Sequence, residues 1–321
     1  MTSTTPHNGR ADLAIHTAGL GKRFGERAAL ESIDLEVPRG TAFGFLGPNG
    51  AGKTTLIRLL LGLAEPTSGT VRLLGHDMPE GRAEALARVG AIIEEPRFHA
   101  HLSGRENLFV HAAAREKEAH SRIPGALARV GLTARADDKV KTYSLGMRQR
   151  LGVARSLLAD PELLILDEPL NGLDPAGILE FRGLIRELVD EGRTVLLSSH
   201  LLDEVEKVAD FAAIVDQGQV VAQGAISDLT RGGQRAIDIV SDSHVRAAGL
   251  LAAVPGVMRA TDHEGSLRVE LSPETPVDRE IVTELLKRLI EDGIGVERVA
   301  PVANTLEDQF LTMTTRLEDR S

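Results

Sequence analysis

The sequence predicts an α/β fold built on a parallel sheet, followed by a smaller α+β appendage. Short apolar runs, typical of strands buried on both faces of a sheet, lie at Thr41–Leu46, Leu163–Leu166 and Thr194–Leu197. Helical patterns such as Ile178–Asp190 alternate with these runs, as expected for a sheet covered by helices. After about residue 230, apolar and polar residues alternate instead, which indicates a second sheet that buries one face.

Composition places the chain among folded globular proteins and excludes several classes of function. It has 321 residues, of which 42% are hydrophobic and none is cysteine. A chain without cysteine has no disulfides, thiolate zinc ligands or cysteine nucleophiles. The formal net charge of −10 argues against a protein that coats duplex nucleic acid, which needs a basic surface. We therefore expect no nucleic-acid partner.

The N-terminal residues predict a flexible segment that is not a targeting signal. Residues 1–11 are polar and lack the apolar core of a signal peptide. No apolar run in the chain approaches the ~20 residues that span a bilayer as a helix. We therefore expect a cytoplasmic protein that does not cross a membrane by itself.

Residues 230–321 predict an α+β appendage with the order strand, helix, strand, strand, helix, strand, which is the order of a ferredoxin-like unit. Pro276–Asp292 has the pattern of an amphipathic helix, and Val296–Pro301 has that of the last strand. Asn304, followed three residues later by Glu307, resembles a capping box. It predicts a final helix with an apolar face made of Leu306, Phe310, Met313 and Leu317.

A glycine-rich loop follows the apolar run that ends at Leu46 and precedes a helical segment. It matches the phosphate-binding pattern G-x-x-x-x-G-K-[ST] with Gly47, Pro48, Asn49, Gly50, Ala51, Gly52, Lys53 and Thr54, and Thr55 comes next. The glycines let successive backbone N–H groups converge on phosphate oxygens, and the helix N-terminus adds partial positive charge. We expect Lys53 to contact the β- and γ-phosphates and Thr54 to offer a hydroxyl to Mg²⁺. The alternative is a glycine-rich turn that binds nothing.

Two carboxylates follow the apolar strand Leu163–Leu166. Asp167 is placed to hold the shell of a magnesium ion, and Glu168 to polarise a water for attack on the γ-phosphate. The alternative is an ordinary pair of carboxylates at a strand end. His200 follows the next apolar strand and is a candidate for contact with the γ-phosphate, although a lone histidine at a strand end is more often structural.

In this order, the motifs resemble those of the ATP-binding cassette family. They are the P-loop Gly47–Thr54, the segment Tyr143–Leu151, the pair Asp167-Glu168, the segment Asn171–Asp174, and His200. The resemblance covers about residues 12–229, and it implies a P-loop nucleotide-binding domain with a mixed sheet core and a helical subdomain at about residues 94–158. It also implies that ATP and Mg²⁺ are bound and that Lys53, Glu168 and His200 are catalytic.

In this family the segment near Ser144 is the signature motif, which faces the γ-phosphate bound by a second subunit. Ser144 and Gly146 are retained in this chain, whereas the usual L-S-G-G-Q is replaced by Y-S-L-G-M. A plain helix cap is the alternative for Ser144. Asp174 matches the aspartate of the family's D-loop. The resemblance thus implies a homodimer with shared ATP sites.

Two further positions differ from the usual family pattern. Glu94, in I-E-E-P, stands where the family has a glutamine that ligates Mg²⁺, and a carboxylate can ligate the ion too. Phe24 matches the aromatic residue that stacks on adenine, commonly tyrosine, with a core residue as the alternative. The S-L-G-M and I-E-E-P forms resemble a subgroup of antibiotic and lantibiotic export ATPases typified by bacitracin resistance. They favour export of an antibiotic, peptide or other drug-like substrate.

The resemblance leaves three classes of function open. The first is the ATPase subunit of a transporter, which requires a separate permease and places the protein at the inner face of the cell membrane. The second is an ATPase that acts on a non-transport partner, and the third is a regulator that binds ATP without turnover. A single cassette without cysteine or a heptad run favours the first class over the second. Glu168 and His200 favour it over the third.

Two regions have roles that come from the resemblance alone. Pro96–Leu108 corresponds to the surface that receives the coupling helix of a membrane subunit. The appendage at residues 230–321 corresponds to a regulatory or dimerisation domain, with a passive stability domain as the alternative.

Overall fold

The structure is a computed structural model that describes residues 13–231, 236–263, 265–272, 274–302, 305–307 and 310. The predicted flexible N-terminus at residues 1–11 lies outside these residues. So do Asn304 of the predicted capping box and most of the predicted final helix. The chain divides into two compact units, the first running to Ile226 and the second beginning at Ser227. Each unit has its own apolar core.

Both units combine strands with helices. The strands of the first unit are β1 (Leu13–Phe24), β2 (Arg27–Pro38), β3 (Ala42–Leu46), β4 (Ser68–Leu73), β5 (His76–Met78), β6 (Val89–Ile92), β7 (Leu163–Leu166), β8 (Thr194–Ser199), β9 (Phe211–Asp216) and β10 (Gln219–Ala225). Its helices are α1 (Lys53–Leu60), α2 (Arg82–Ala87), α3 (Gly104–Ala112), α4 (Glu118–Ser121), α5 (Ile123–Arg129), α6 (Leu145–Leu157), α7 (Pro175–Asp190) and α8 (Leu202–Glu206), and α9 (Ile226–Arg231) spans the boundary in the sequence. The second unit contains β11 (Ala236–Ser241), α10 (His244–Leu251), β12 (Val257–His263), β13 (Ser266–Leu271), α11 (Arg279–Glu291) and β14 (Val296–Pro301). None of the helices in the described part of the chain is long and apolar enough to cross a membrane.

The central sheet of the first unit has the strand order β10-β9-β3-β8-β7-β6. Neighbours from β9 to β6 run parallel, and β10 pairs with β9 in the antiparallel direction, so the sheet is mixed as predicted. β3, β7 and β8 are buried along their whole length, as strands covered on both faces are. Because carboxyl ends of parallel strands meet at one edge, the segments that follow β3, β6, β7 and β8 lie side by side.

A second, antiparallel sheet in the first unit has the strand order β2-β1-β4-β5. No pattern in the sequence predicted this sheet. β1 and β2 have 12 residues each, and their pairing contains several register shifts. Each shift breaks the alternation of buried and exposed residues that identifies a half-buried strand. Phe24 is the last residue of β1.

The core of the first unit joins both sheets to α1. Its fully buried side chains include Ile15 of β1, Phe43 and Phe45 of β3, and Leu56 and Leu60 of α1. Burial on this scale holds the last strand before the glycine-rich loop and the first helix after it in fixed positions. The loop between them is therefore supported from both ends.

Helices α3 to α6 occupy the stretch of chain between β6 and β7. Ser103 and Glu106 form a reciprocal capping box at the start of α3. The buried side chain of Asn107 accepts a hydrogen bond from the His99 backbone N–H at 2.8 Å and donates to the carbonyl oxygens of His99 and Ser103 at 3.1 and 2.8 Å. These bonds hold the loop that precedes α3.

The second unit is a four-stranded antiparallel sheet with the order β12-β13-β11-β14 and the helices α10 and α11. Its elements follow one another as the sequence predicted: strand, helix, strand, strand, helix, strand. The predicted helix Pro276–Asp292 is observed as α11, and Asp278 caps it by accepting from the N–H of Ile281. Along β11 and β13, buried apolar residues alternate with more exposed residues. The buried ones are Ile237, Ile239, Leu267, Val269 and Leu271.

Candidate active site

The glycine-rich loop turns sharply between β3 and α1 and excludes side chains at two of its glycines. A Cβ atom on Gly47 would lie 2.1 Å from the carbonyl oxygen of Val215. Gly52, at the N-terminus of α1, has a φ of 106°, which side chains rarely tolerate. Gly50, Gly52 and Thr55 line an open cleft of about 410 Å³ at this helix end. A helix N-terminus with free backbone N–H groups favours an anion, so the cleft suits phosphate.

Lys53 is a buried cation in the wall of this cleft, with 6% of its surface exposed. Its Nζ donates to the carbonyl oxygens of Gly47 at 2.7 Å and Pro48 at 3.0 Å. The same Nζ lies 3.1 Å from Oε1 of Glu168. The ammonium therefore ties the start of the loop to the carboxyl end of β7. A phosphate in the cleft would accept charge-assisted hydrogen bonds from it.

Asp167 is buried beside the hydroxyl of Thr54. Its carboxylate accepts hydrogen bonds from Oγ1 of Thr54 at 2.9 Å and from Oγ of Ser198 at 2.6 Å. Oγ of Ser198 in turn accepts from the backbone N–H of Glu168 at 2.9 Å. This network fixes one carboxylate and one hydroxyl at the same point, which is the kind of oxygen pair that holds Mg²⁺ together with substrate phosphates. Within the described part of the chain, no three His, Asp or Glu side chains group as a closed metal site.

Glu168 lies between a lysine and a histidine at the edge of the sheet. Its Oε1 is 3.1 Å from Nζ of Lys53, and its Oε2 is 3.0 Å from Nδ1 of His200. Its backbone has a φ of 46°, in the left-handed region that is uncommon for a residue other than glycine. Such strain is frequent at active sites, where it fixes the direction of a side chain. The carboxylate is thus held from both sides and still lines the cleft.

Phe24 lines the same cleft, with 58% of its surface exposed. The alternative that it is a core residue is therefore wrong. Nζ of Lys22 lies 5.1 Å from the centroid of the ring. An exposed aromatic ring next to a phosphate-binding loop offers a flat apolar surface for a purine base.

Glu94 lines a second cavity of about 440 Å³, together with Thr54, Asp167 and Glu168. Its carboxylate forms an ion pair with Arg58 of α1 at 2.7 Å. Both side chains are about half exposed, and exposed ion pairs contribute only ~0–1 kcal/mol. The structure therefore brings Glu94 to the predicted metal site and gives it a weakly held counter-ion.

Ser144, Gly146 and Asp174 lie apart from the cleft of Lys53, along a separate groove of about 390 Å³. Oγ of Ser144 accepts a hydrogen bond from the N–H of Met147 at 3.2 Å and caps α6. A carboxylate oxygen of Asp174 accepts from the N–H of Gly177 at 2.9 Å and caps α7. Ser144 thus caps α6, and the N-terminus of this helix opens on the groove. The structure groups these predicted residues with one another rather than with Lys53.

Ser198 and Arg58 were not predicted as site residues, although a feature of the sequence points to each of them. Ser198 is a hydroxyl residue inside a strand that is buried along its whole length, so it needs a polar partner, and Asp167 supplies it. Arg58 stands four residues after Thr54 on α1, which places both side chains on one face of the helix.

Comparison with known proteins identifies the family. The ABC transporter family model matches residues 30–171. The bacitracin transport ATP-binding protein BcrA of Enterococcus faecalis is 38% identical over 301 residues, which cover 93% of this chain and 96% of that protein. The chain belongs to the ATP-binding proteins of ABC transporters. The daunorubicin resistance ATP-binding protein DrrA3 of Streptomyces coeruleorubidus is 39% identical to this ABC protein over 95% of this chain and 96% of its own length.

The solved structure of CbiO1 from Clostridium perfringens, part of the ABC transporter complex CbiONQ, shares the fold of this ABC ATPase. Its TM-score is 0.63 at 27% sequence identity, over 68% of this chain and 90% of that chain. The predicted cassette fold is thus confirmed, and so is the predicted activity as the ATP-hydrolysing subunit of a transporter. An ATPase with a non-transport partner is not favoured.

Proposed function

We propose that this ABC ATPase drives a separate membrane permease that exports an antibiotic, peptide or other drug-like molecule. The observation that carries the ATPase part of the proposal is the arrangement of Glu168 between Lys53 and His200. Its carboxylate lies 3.1 Å from Nζ of Lys53 and 3.0 Å from Nδ1 of His200. The names of two relatives, bacitracin transport and daunorubicin resistance, support the class of cargo. The protein then acts in the cytoplasm, at the inner face of the membrane, through its permease.

ATP binds with its phosphates at the N-terminus of α1 and its adenine against Phe24. The loop N–H groups and Lys53 contact the β- and γ-phosphates, which lie where the helix dipole is positive. Asn49 and Thr55 line the same cleft and border the bound nucleotide.

Thr54 and Asp167 would hold Mg²⁺ beside the phosphates, and Glu94, which is paired with Arg58 in this structure, would offer a further oxygen donor. The oxygen donors fit this ion, which prefers one or two carboxylates and substrate phosphates over a closed protein cage. When bound, the ion neutralises charge that develops on the β- and γ-phosphates.

Glu168 acts as the general base that orients and deprotonates the attacking water. Its carboxylate lines both the phosphate cleft and the cavity of Thr54 and Asp167, so a water beside it has access to the γ-phosphate. His200 holds the carboxylate through Nδ1, in the way a third group orients the base of a catalytic pair. The strained backbone of Glu168 supports the same orientation.

Drug resistance tests the proposed cargo. Co-expression of this chain with its permease in a susceptible bacterium is expected to raise the inhibitory concentration of bacitracin or daunorubicin severalfold. The Glu168→Gln variant with the same permease is the control, and it should give no protection because transport requires turnover. Protection that persists in the control would contradict export driven by ATP.

Two copies of the chain pair through their ATP sites. The groove of Ser144 and Gly146 contains the N-termini of α6 and α7, whose free N–H groups and dipoles attract an anion. The phosphate-binding loop of the same chain does not line this groove. The γ-phosphate held by a second copy is the anion that fits. Each site is complete only in the homodimer.

ATP with Mg²⁺ is therefore expected to convert the Glu168→Gln variant from monomer to dimer in light scattering. A second substitution, Gly146→Val, should abolish the shift, because its added methyl groups fill the groove at a point where even a Cβ atom would lie 3.3 Å from the side chain of Leu173. A Glu168→Gln chain that ends at residue 229 tests whether the appendage is a dimerisation domain. If it is, the truncated chain should show a weaker monomer-to-dimer shift. Dimers of equal strength with and without Gly146→Val would contradict pairing through the signature groove, and an undiminished shift in the truncated chain would contradict a dimerisation role for the appendage.

A groove on the helical part has the chemistry of a docking site for the permease. It has a volume of about 450 Å³ and combines apolar residues such as Phe98 and Val110 with the cations Arg97 and Arg155. None of its lining residues is acidic. Phe109, next to the groove, is 57% exposed. An apolar groove with positive charge favours a short helix that carries apolar residues and one carboxylate.

Arg155 is the cation in this groove that most needs a partner. Its guanidinium lies 5.2 Å from the ring of Phe98 and donates only to the carbonyl oxygen of Arg97 at 3.4 Å, with no carboxylate at ion-pair distance among the described residues. Burial lowers its pKa below the usual range. Burial, followed by the charges of Arg155 and Arg115, also lowers the pKa of His111, which lines the same groove. A carboxylate of the permease would supply the missing negative charge.

The charge reversal Arg155→Glu is expected to reduce co-purification with the permease at least tenfold, since like charges that face each other at an interface cost several kcal/mol. Arg259→Glu, on an exposed site of the second unit, is the matched control and should leave the complex intact. Thermal unfolding of both variants checks that the fold is retained. Equal recovery of the permease by both variants would contradict docking in this groove.

A further inference from the structure

Arg27 is an exposed cation that lines the nucleotide cleft. Among the described residues, the charged side chains in the lining of this cleft are those of Arg27, Lys53 and Glu168. Lys53 and Glu168 form an ion pair at 3.1 Å. The guanidinium of Arg27 makes no hydrogen bond or ion pair with the described part of the chain. The cleft therefore contains one positive charge that these residues do not balance.

The hairpin of β1 and β2 sets the direction of the Arg27 side chain. Phe24 ends β1, Arg27 begins β2, and the two residues pair directly in the antiparallel ladder. Residues that pair in this way project their side chains from the same face of the sheet, with Cβ atoms about 5 Å apart. Because the exposed ring of Phe24 lines the cleft, Arg27 emerges beside that ring and on the same side.

β2 also lies against the phosphate-binding loop. Ala29 lines the same cleft two residues after Arg27, and its carbonyl oxygen would lie 2.6 Å from a Cβ atom on Gly52. Gly52 directly precedes α1, where the proposed pose puts the β- and γ-phosphates. The ribose and the α-phosphate join the base at Phe24 to these terminal phosphates. They are therefore the groups of ATP within reach of the long side chain of Arg27.

The chemistry of arginine decides between these two groups. A guanidinium has a full positive charge and only hydrogen-bond donors, and it forms charge-assisted hydrogen bonds with phosphate oxygens. The ribose hydroxyls are neutral, whereas the α-phosphate carries negative charge. We propose that Arg27 is a further nucleotide-binding residue, whose guanidinium donates to the α-phosphate of ATP. The inference rests on the proposed placement of ATP between Phe24 and the phosphate-binding loop.

This contact has a consequence for the kinetics of the ATPase. ATP and ADP both carry the α-phosphate, so the contact stabilises both complexes. The α-phosphate is also unchanged while the γ-phosphate is transferred to water, so the contact contributes equally to binding of the substrate and of the transition state. Interactions of this kind lower KM without raising kcat. Arg27 is therefore expected to affect nucleotide affinity, whereas Glu168 affects the rate of hydrolysis.

The test is the Arg27→Gln variant of the full chain, with equilibrium titrations of ATP, ADP and 2′,3′-dideoxy-ADP and a steady-state ATPase assay. We expect the affinity for all three nucleotides to fall by the same factor, about three- to tenfold, because a hydrogen bond to a charged group is lost at a partly solvated site. KM for ATP should rise by that factor, while kcat stays within about twofold of the wild type.

Two further variants serve as controls. Arg27→Lys keeps a cation that donates to phosphate, so it should bind ATP and ADP within about twofold of the wild type. Arg72→Gln removes an arginine from β4 of the same sheet, outside the lining of the cleft, and should leave nucleotide affinity unchanged. Thermal unfolding of all variants checks that the fold is retained.

Several results would overturn the inference. Unchanged affinity in Arg27→Gln would show that this arginine does not bind the nucleotide. A loss confined to ATP would place the contact at the γ-phosphate, and a loss that is absent with 2′,3′-dideoxy-ADP would place it at the ribose. An equal loss in Arg27→Lys would show that the positive charge is not what binds. Failure of the proposed pose itself is distinguishable, since ATP affinity would then be unchanged in Lys53→Ala.

Discussion

Glu168→Gln is expected to lower the steady-state ATPase rate by about 10²–10⁴-fold, the usual contribution of a general base. The amide has the shape of the carboxylate but cannot take a proton from the attacking water. Oε1 of the amide can still accept from Lys53, and its Nε2 faces Nδ1 of His200, so the surrounding contacts are largely retained. The variant should therefore fold normally and lose turnover selectively.

The same substitution should strengthen ATP binding. In the wild type the carboxylate of Glu168 lies 3.1 Å from Lys53 and lines the cleft, where its negative charge opposes that of the γ-phosphate. The neutral amide removes this repulsion. Equilibrium binding of labelled ATP and a phosphate-release assay measure the two effects separately. Glu187→Gln, on an exposed site of α7, is the matched control and should change neither quantity. Turnover within a few-fold of the wild type would exclude Glu168 as the base.

The sequence predicts those parts of the site in which chemistry is tied to spacing along the chain. The eight residues from Gly47 to Thr54 must be consecutive to place N–H groups, an ammonium and a hydroxyl around one phosphate, so the pattern is visible without a structure. Asp167 and Glu168 are visible because they end a strand that is otherwise apolar. The topology then places their strand two positions from β3 in the central sheet.

The parts that the sequence did not predict depend on contacts between distant segments. The ion pair of Glu94 with Arg58 depends on the conformations of two exposed side chains. The sequence pattern around each residue does not determine these conformations. The place of Arg27 in the nucleotide cleft depends on strand pairing, since an arginine after a turn is ordinary until its surroundings are known. The antiparallel sheet of β1 and β2 was missed because register shifts interrupt its alternation.

Lys53→Ala is the second prediction with a large expected effect. It should weaken ATP binding about 10- to 100-fold, since hydrogen bonds to charged groups contribute ~1.5–3 kcal/mol each and 1.4 kcal/mol is tenfold in affinity. The ammonium is buried among the carbonyl oxygens of Gly47 and Pro48 and the carboxylate of Glu168, and its removal leaves these oxygens without this donor. Turnover should fall with affinity, because the γ-phosphate also loses its positive partner.

Part of that loss comes from Glu168 rather than from the missing ammonium. Without Lys53 the carboxylate retains His200 as a partner but faces the γ-phosphate with its charge uncompensated. The double variant Lys53→Ala/Glu168→Gln should therefore bind ATP more tightly than Lys53→Ala alone while remaining inactive. A double-mutant cycle on ATP affinity, measured by equilibrium titration, gives the coupling between the two side chains. Additive effects would show that Glu168 does not act on the nucleotide through Lys53, and unchanged affinity in Lys53→Ala would remove the phosphate-binding role of the loop.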